Sequence, residues 1–312
     1  MSNLSAVESL LITGANGFVG RSVLERLAYY QPSDLPKEII LVTRKGIDFE
    51  LPPALSPFTK LEIQDLTKPW VLNFESTHII NLAADGSNSP YSEKASQDFR
   101  LIGGNLVDWL NSRNFLAKVF HASSGACFGY KSLSSETPLD SSKVNFIASR
   151  LDVEEMLKKA SRALGFDLSI GRLFTFSGNL LLEKSQYAVT DFINSGLANG
   201  RIHVTGNPET VRSYMNQEAM AEWILQALLN PVGETTLQIG ASEPVTIGEL
   251  AEFIAEKTGA KVDYAPNPQP GDLYLPDNEK TKTKLGLSEG LNWRLSVQQM
   301  IETARRGSNV TN

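Results

Sequence analysis

The chain has 312 residues, 41% hydrophobic and 21% charged, which is ordinary for a globular protein of one large or two modest domains. Its net charge of −6 argues against a surface for nucleic acid or anionic membrane, and no apolar run reaches membrane-spanning length, so no membrane insertion is expected. Cys127 is the single cysteine, which excludes an intramolecular disulfide and fits a reducing, cytoplasmic setting; Met1 to Glu8 lacks the charge and apolar centre of a signal peptide and reads as a short tail.

The first element organises the rest. Leu10-Leu11-Ile12-Thr13 predicts a strand, Gly14-Ala15-Asn16-Gly17-Phe18-Val19-Gly20 follows at a Gly-x-x-Gly-x-x-Gly spacing, and a helix begins at Arg21. Gly14 permits a sharp turn, Gly17 permits close approach of a diphosphate, and Gly20 permits tight helix–strand packing. The helix start then offers free N–H groups and a positive dipole end to an anion. Strand, glycine loop and helix in this order point to a dinucleotide, with residues 14 and 16–20 as candidate contacts.

Glu38 to Arg44 predicts the second strand, whose end meets the adenosine ribose in such folds. Thr43-Arg44-Lys45 stands there with no carboxylate before Asp48, a pattern that favours the 2′-phosphate of NADP and makes Arg44 a candidate ligand. NAD, served by Asp48 folding back, is the alternative. Further strands are predicted at Leu61–Gln64, Thr77–Ala83, Ala117–Ser124 and Phe166–Phe174, with helices at Ser92–Asn114 and Asn145–Leu164. Gly103-Gly104 weakens the former helix. Strands alternating with helices imply an α/β class, a Rossmann doubly wound parallel sheet.

Beyond Gly178 the rhythm changes. Helices are predicted at Asp191–Ala198, Ser213–Leu229, Thr246–Thr258 and Ser296–Arg305, with strands at Arg201–Val204, Leu237–Gly240 and Lys261–Tyr264. The division expected is a dinucleotide domain of 1–177 plus about 210–240. A smaller mixed α/β substrate domain would take 178–209 and 241–306.

These pieces together resemble the extended short-chain dehydrogenase/reductases of the nucleotide-sugar epimerase/dehydratase group, over nearly the whole chain. The carriers are Thr13 to Gly20, Asp65-Leu66, Asn81-Leu82-Ala83-Ala84, Ser123 to Gly129, Arg172 to Gly178, Val211-Arg212-Ser213-Tyr214 and Lys284 to Leu287. The resemblance implies adenine contacts from Asp65 and Leu66 and a cofactor groove lined by Leu82, Ala83 and Ala84. It implies Ser124 on the sugar hydroxyl, Thr175 and Arg212 on the substrate, and no metal. A guanidinium fork suits the diphosphate expected at Arg212. The resemblance further implies an NAD(P) cofactor, a nucleotide sugar as small-molecule partner, and a homodimer paired through the helices at 92–114 and 145–164.

The family's chemistry uses a Tyr and a Lys four residues apart, on one helix face. The Tyr moves a proton while hydride moves to or from the cofactor. Here Phe146 stands for the Tyr and Arg150 for the Lys, and no Tyr is followed four residues later by Lys. Phe146 has no proton to give, while Arg150 keeps a charge and donors for the cofactor ribose. Gly125-Ala126 replaces the Asp-Glu pair of sugar 4,6-dehydratases, which argues against that reaction; Phe128 replaces a Tyr and Glu218 an Asp. Among nearby groups, Cys127 reads as a packed thiol, His121 as a core histidine and Tyr130 as a loop aromatic. Tyr91, Tyr187 and Tyr214 lie in segments able to reach a cleft. Two functions follow. One is an epimerase, dehydratase or reductase with a non-standard residue set at Ser124, Phe146 and Arg150. The other is a catalytically silent regulator or partner subunit that binds both ligands.

Overall fold

The structure, a computed structural model, describes residues 4–73, 76–84, 89–113, 117–128, 131–132, 141–182, 187–231 and 233–308. Gly129 and Tyr130 lie outside the described residues. In chain order the elements are β1 (Ser9–Thr13), α1 (Phe18–Ala28), β2 (Glu38–Thr43), β3 (Thr59–Ile63), β4 (His78–Asn81), α2 (Glu93–Asn111), β5 (Lys118–Ser124) and β6 (Lys131–Ser132). They continue with α3 (Ser141–Leu164), β7 (Asp167–Leu173), β8 (Phe176–Ser177), α4 (Ala188–Asn199), β9 (Arg201–Val204), β10 (Val211–Arg212) and β11 (Met215–Asn216). The last are α5 (Gln217–Leu229), β12 (Glu234–Ile239), β13 (Val245–Thr246), α6 (Ile247–Thr258), β14 (Lys261–Tyr264), β15 (Asp272–Leu273), α7 (Glu279–Leu285) and α8 (Trp293–Ser308). The chain divides into two compact units, residues 1–127, 139–173 and 221–237, and residues 128–138, 174–220 and 238–312.

The first unit is built on a seven-stranded sheet in the order β12-β7-β5-β4-β1-β2-β3. The registered pairings from β7 to β3 are all parallel, as the strand–helix alternation demands. All five residues of β1 are buried, and so is β2 after Glu38, because helices cover both faces; this is why these strands read as continuous apolar runs. β3 is the edge, and its side chains from Lys60 onward are exposed. On one face α2 and α3 pack over Leu11, Ile79, Val119 and Ile170, and Trp70 tilts against Trp109 at 5.7 Å between ring centroids. No helix among the described residues is long and apolar enough to cross a membrane.

Gly103 is the point where α2 meets α3. A Cβ there would lie 2.6 Å from Val153 Cγ1, so the glycine that weakens the helix locally is what lets the two helices close. Gly103→Ala therefore destabilises by about 1–3 kcal/mol despite its better helix propensity, and Val153→Ala in the same chain returns part of the loss. Urea unfolding of the single and double variants checks this; equal stability of wild type and Gly103→Ala overturns it.

In the second unit, β13-β10-β15-β6 form a small sheet, β9 and β14 pair in parallel, and β8 pairs with β11. α6 starts with a capping box between Thr246 and Glu249 and stops at Gly259 with φ +78°, as its sequence signals predict. α5 begins at Gln217 rather than Ser213, because Val211–Arg212 and Met215–Asn216 are drawn into strand pairs. Helix α3 begins at Ser141, four residues before Asn145; no Gly or Pro intervenes to stop it. Two-residue strands and the short α7 carry no periodic signal and were not foreseen.

Candidate functional site

β1 delivers the chain into a loop that only glycine can make. Gly14 has φ +71°, and a Cβ there would sit 2.7 Å from the Leu82 carbonyl oxygen. At Gly20 a Cβ would meet the Gly14 carbonyl oxygen at 2.5 Å, so Gly20 seats α1 on the loop. Gly17 differs: it caps α1 in ordinary extended geometry, and its nearest would-be contact is the Gly14 oxygen at 3.3 Å. Its bare Cα leaves space at the helix start, where no acidic residue occupies the first turn of α1. Phe18 is buried within α1 behind this loop, and Val19 sits half-buried beside it.

The loop opens on a groove of about 460 Å³. Gly14, Asn16, Gly17, Arg44, Asp65, Leu66, Leu82, Ala83 and Ala84 line it together. Ala15, Lys45, Gly46, Ile47, Asp48, Gln64, Thr67 and Ile102 line it too; of these, Lys45 and Asp48 carry a signal in the sequence, as the first charges after β2. Asn16 Nδ2 donates to the Gly46 carbonyl at 2.8 Å and ties the glycine loop to the segment after β2, while its Oδ1 is buried without a protein partner. Asp65 Oδ1 accepts from the Thr67 hydroxyl at 2.8 Å and the Thr67 N–H at 3.0 Å. Those bonds, with a smaller contribution from the Arg44 charge, hold the carboxyl below its usual range. The bare cradle at Gly17, the helix start and the flanking cations fit a dinucleotide diphosphate and its ribose.

Abreast across the sheet stand Thr13, Asn81 and His121, paired in register. The Thr13 hydroxyl donates to Asn81 Oδ1 at 2.7 Å and accepts from the Leu82 and Ala83 N–H groups at 3.1 Å. His121 Nδ1 lies 3.0 Å from Asn81 Nδ2, an amide donor, which assigns His121 the Nε2–H tautomer. Burial pushes the His121 pKa down to about 4. A base depressed in the folded state stabilises while neutral. Its contribution is whole above the unfolded value of about 6.5 and is lost as pH falls from there toward about 4. Half-buried His78 is shifted to about 4 as well, mainly by desolvation. Stability is expected to fall across this window by up to about 1.4 kcal/mol per pH unit for each histidine, and His121→Gln removes its share. Chemical unfolding at pH 7, 5.5 and 4.5 checks this; identical slopes in the two proteins contradict it.

At the end of β5 the Ser124 hydroxyl accepts from the Ala126 N–H at 3.2 Å. Phe146 and Arg150 stack on α3, the guanidinium carbon lying 3.7 Å from the Phe146 ring centroid and 4.1 Å from that of Phe99. Arg150 is 6% exposed and donates to Ser149 Oγ at 2.8 Å. Tyr91 covers Phe146 at 5.0 Å between centroids. Below lies a polar network that sequence reasoning missed. Glu154 receives Arg172 Nε at 2.9 Å, Arg172 Nη2 at 2.6 Å and the Ser123 hydroxyl at 2.6 Å. Burial alone would raise the Glu154 carboxyl, but these bonds outweigh it and hold the group low. Cys127 Sγ is 3.7 Å from Ser123 Oγ, and burial together with the Glu154 charge pushes its thiol up, as suits a packed thiol.

In the second unit Arg212 pairs with Asp272, donates to the Val211 carbonyl at 2.8 Å and lies over the Tyr274 ring. Thr175 is half-buried, and its carbonyl accepts from Met215 N–H at 3.2 Å. No group of His, Cys, Asp and Glu among the described residues could hold a metal ion.

Solved structures share this fold. MoeE5 in complex with UDP-glucose and NAD is 18% identical, with 96% of this chain and 99% of that one covered at a TM-score of 0.74. The Bordetella bronchiseptica enzyme WbmF in complex with NAD+ is 16% identical, with 99% and 94% covered at 0.77. The UDP-glucose 4-epimerase of Thermotoga maritima with UDP-glucose is 19% identical, with 96% and 99% covered at 0.75. No curated protein matches the chain significantly in sequence. The family model described as NAD dependent epimerase/dehydratase family matches residues 10–240. On that match, and on the glycine loop and parallel sheet that carry it, the chain belongs to the NAD-dependent epimerase/dehydratase family.

Proposed function

We propose that this chain binds a nicotinamide dinucleotide in the groove of its first unit and acts on a nucleotide-linked sugar as an epimerase, dehydratase or reductase. Its proton-transfer group is other than residue 146. The observation that carries this reading is the glycine cradle at Gly14, Gly17 and Gly20, opening on a groove lined by Arg44, Asp65 and Ala83. When bound, the dinucleotide supplies the hydride acceptor or donor. The start of α1 holds its diphosphate, Asp65 and Leu66 its adenine, and Arg44 and Lys45 favour the 2′-phosphate of NADP over NAD. Arg150 keeps a cation on α3 for the cofactor ribose, and Ser124 offers a hydroxyl to the sugar. Arg212 would exchange Asp272 for the substrate diphosphate. Solved structures of this fold were obtained with UDP-glucose and NAD, which supports that ligand class.

We further propose a cytoplasmic homodimer. Leu101 on α2 and Val144 and Leu151 on α3 are exposed apolar side chains on the two helices expected to pair. Sedimentation at micromolar concentration tests it, and a monomer contradicts it.

One observation favours a second reading. Phe146 and Arg150 fill the catalytic position with a ring stacked on a cation, as suits a silent binding subunit. The test mixes the protein with NADP or NAD and with UDP-glucose, UDP-galactose and UDP-N-acetylglucosamine, following cofactor absorbance and sugar products. Turnover, with NADP bound at least about tenfold tighter than NAD and that margin lost in Arg44→Ala, supports the first reading. Calorimetric binding without turnover supports the second, as does activity that arises only in Phe146→Tyr with Arg150→Lys.

A further inference from the structure

We propose that Tyr91 supplies the proton-transfer hydroxyl that Phe146 lacks; this rests on the enzymatic reading above. The family's phenol projects from the first position of the Tyr-x-x-x-Lys pair on the helix after β5. In this chain that position is Phe146, and the ring seated on it is a tyrosine from a different element.

The geometry is specific. Tyr91 directly precedes Ser92, whose side chain caps α2 by accepting from the Ala95 N–H at 3.1 Å. That cap fixes where the chain enters the helix, and with it the Tyr91 backbone. The Tyr91 and Phe146 ring centroids are 5.0 Å apart, a distance within the range aromatic pairs prefer, and their planes cross at 57°. On Phe146 also sits the Arg150 guanidinium, so ring and cation together make a firm platform for the phenol. Tyr91 remains 40% exposed, whereas the other candidates are buried or half-buried.

Those candidates have the wrong properties. His121 is buried and neutral, with a pKa of about 4. The Cys127 thiol is pushed up by burial. Tyr214 is buried in the second unit, and desolvation raises its phenol far above the ordinary value. None combines an ionisable hydroxyl, access and contact with residue 146.

In the reducing direction the Tyr91 O–H bond breaks and its proton goes to the sugar carbonyl oxygen. The carbonyl carbon gains the hydride that a reduced nicotinamide dinucleotide provides, the C=O becomes CH–OH, and solvent reprotonates the phenolate. Oxidation of the sugar reverses each transfer.

The experiment uses the full chain as wild type, Tyr91→Phe, and Tyr91→Phe with Phe146→Tyr. With UDP-glucose and either nicotinamide dinucleotide, Tyr91→Phe is expected to lower kcat about 100-fold or more with little change in KM. The double variant, which returns a phenol to position 146, is expected to regain activity. A second readout needs no turnover: nitration of Tyr91 by tetranitromethane, followed by mass spectrometry, slows when UDP-glucose and dinucleotide are bound. Wild-type turnover that survives in Tyr91→Phe, or UDP-glucose binding that leaves Tyr91 nitration unchanged, overturns this proposal alone. Wild-type protein that turns over no sugar of the panel overturns the enzymatic reading, and this proposal with it.

Discussion

Gly17→Ala is expected to weaken nicotinamide dinucleotide binding about 100-fold, close to 3 kcal/mol, while the protein stays folded. Gly17 has extended backbone angles that any residue adopts, and a Cβ there finds only the Gly14 oxygen at 3.3 Å. The fold loses little. The new methyl instead fills the space through which a diphosphate must approach the first N–H groups of α1. Gly14→Ala is the contrast. Its φ of +71° and the 2.7 Å approach to the Leu82 oxygen put the cost in the fold itself, at least about 2 kcal/mol. Calorimetry with NADP and NAD, beside thermal melts, separates the two effects. If Gly17→Ala binds both dinucleotides as wild type does, the diphosphate does not lie on this loop.

Glu154→Ala is expected to lose about 3 kcal/mol of folding stability. The carboxylate is 2% exposed and accepts from both Arg172 and Ser123, so its removal strands donors in the interior between α3 and the sheet. The loss sits at the low end for a buried pair because Arg172 keeps 14% of its side-chain surface in solvent. Replacing Glu154 and Arg172 together by Met recovers most of it, since no uncompensated charge then remains. Glu154→Gln tests the charge. A carboxyl held low in the folded state stabilises above its unfolded value of about 4.3 and loses that as pH falls through the folded value. The acid limb of the stability curve below about pH 4.3 is therefore shallower in Glu154→Gln. Denaturant titrations of the single and double variants are decisive; a loss below about 1 kcal/mol in Glu154→Ala would falsify the account of this pair as an interior anchor.

Much of the architecture was legible because its signals are local. A buried parallel strand reads as an unbroken apolar run, as Leu10-Leu11-Ile12 does, and a strand-to-helix turn announces itself by glycine. The α6 capping box needs only four consecutive residues. The departure at Phe146 and Arg150 was visible too, since four-residue spacing is a property of one helix. Other features were hidden. Asn16 and Gly46 are bonded across 30 positions, and Ser123 and Glu154 across 31; neither partner marks the other in a linear reading. Gly103 reads as a weak point in α2 until Val153 is set against it.

From the chain alone came the repeating strand and helix, the bare loop after β1 and the lack of a phenol on α3, because each depends on neighbours a few residues away. Folding in three dimensions decided which residues share the groove, which carboxylate is buried against Arg172, and which tyrosine lies on Phe146. The reason is physical: such contacts join segments tens of residues apart, and only the packing of helices on a sheet sets their distances.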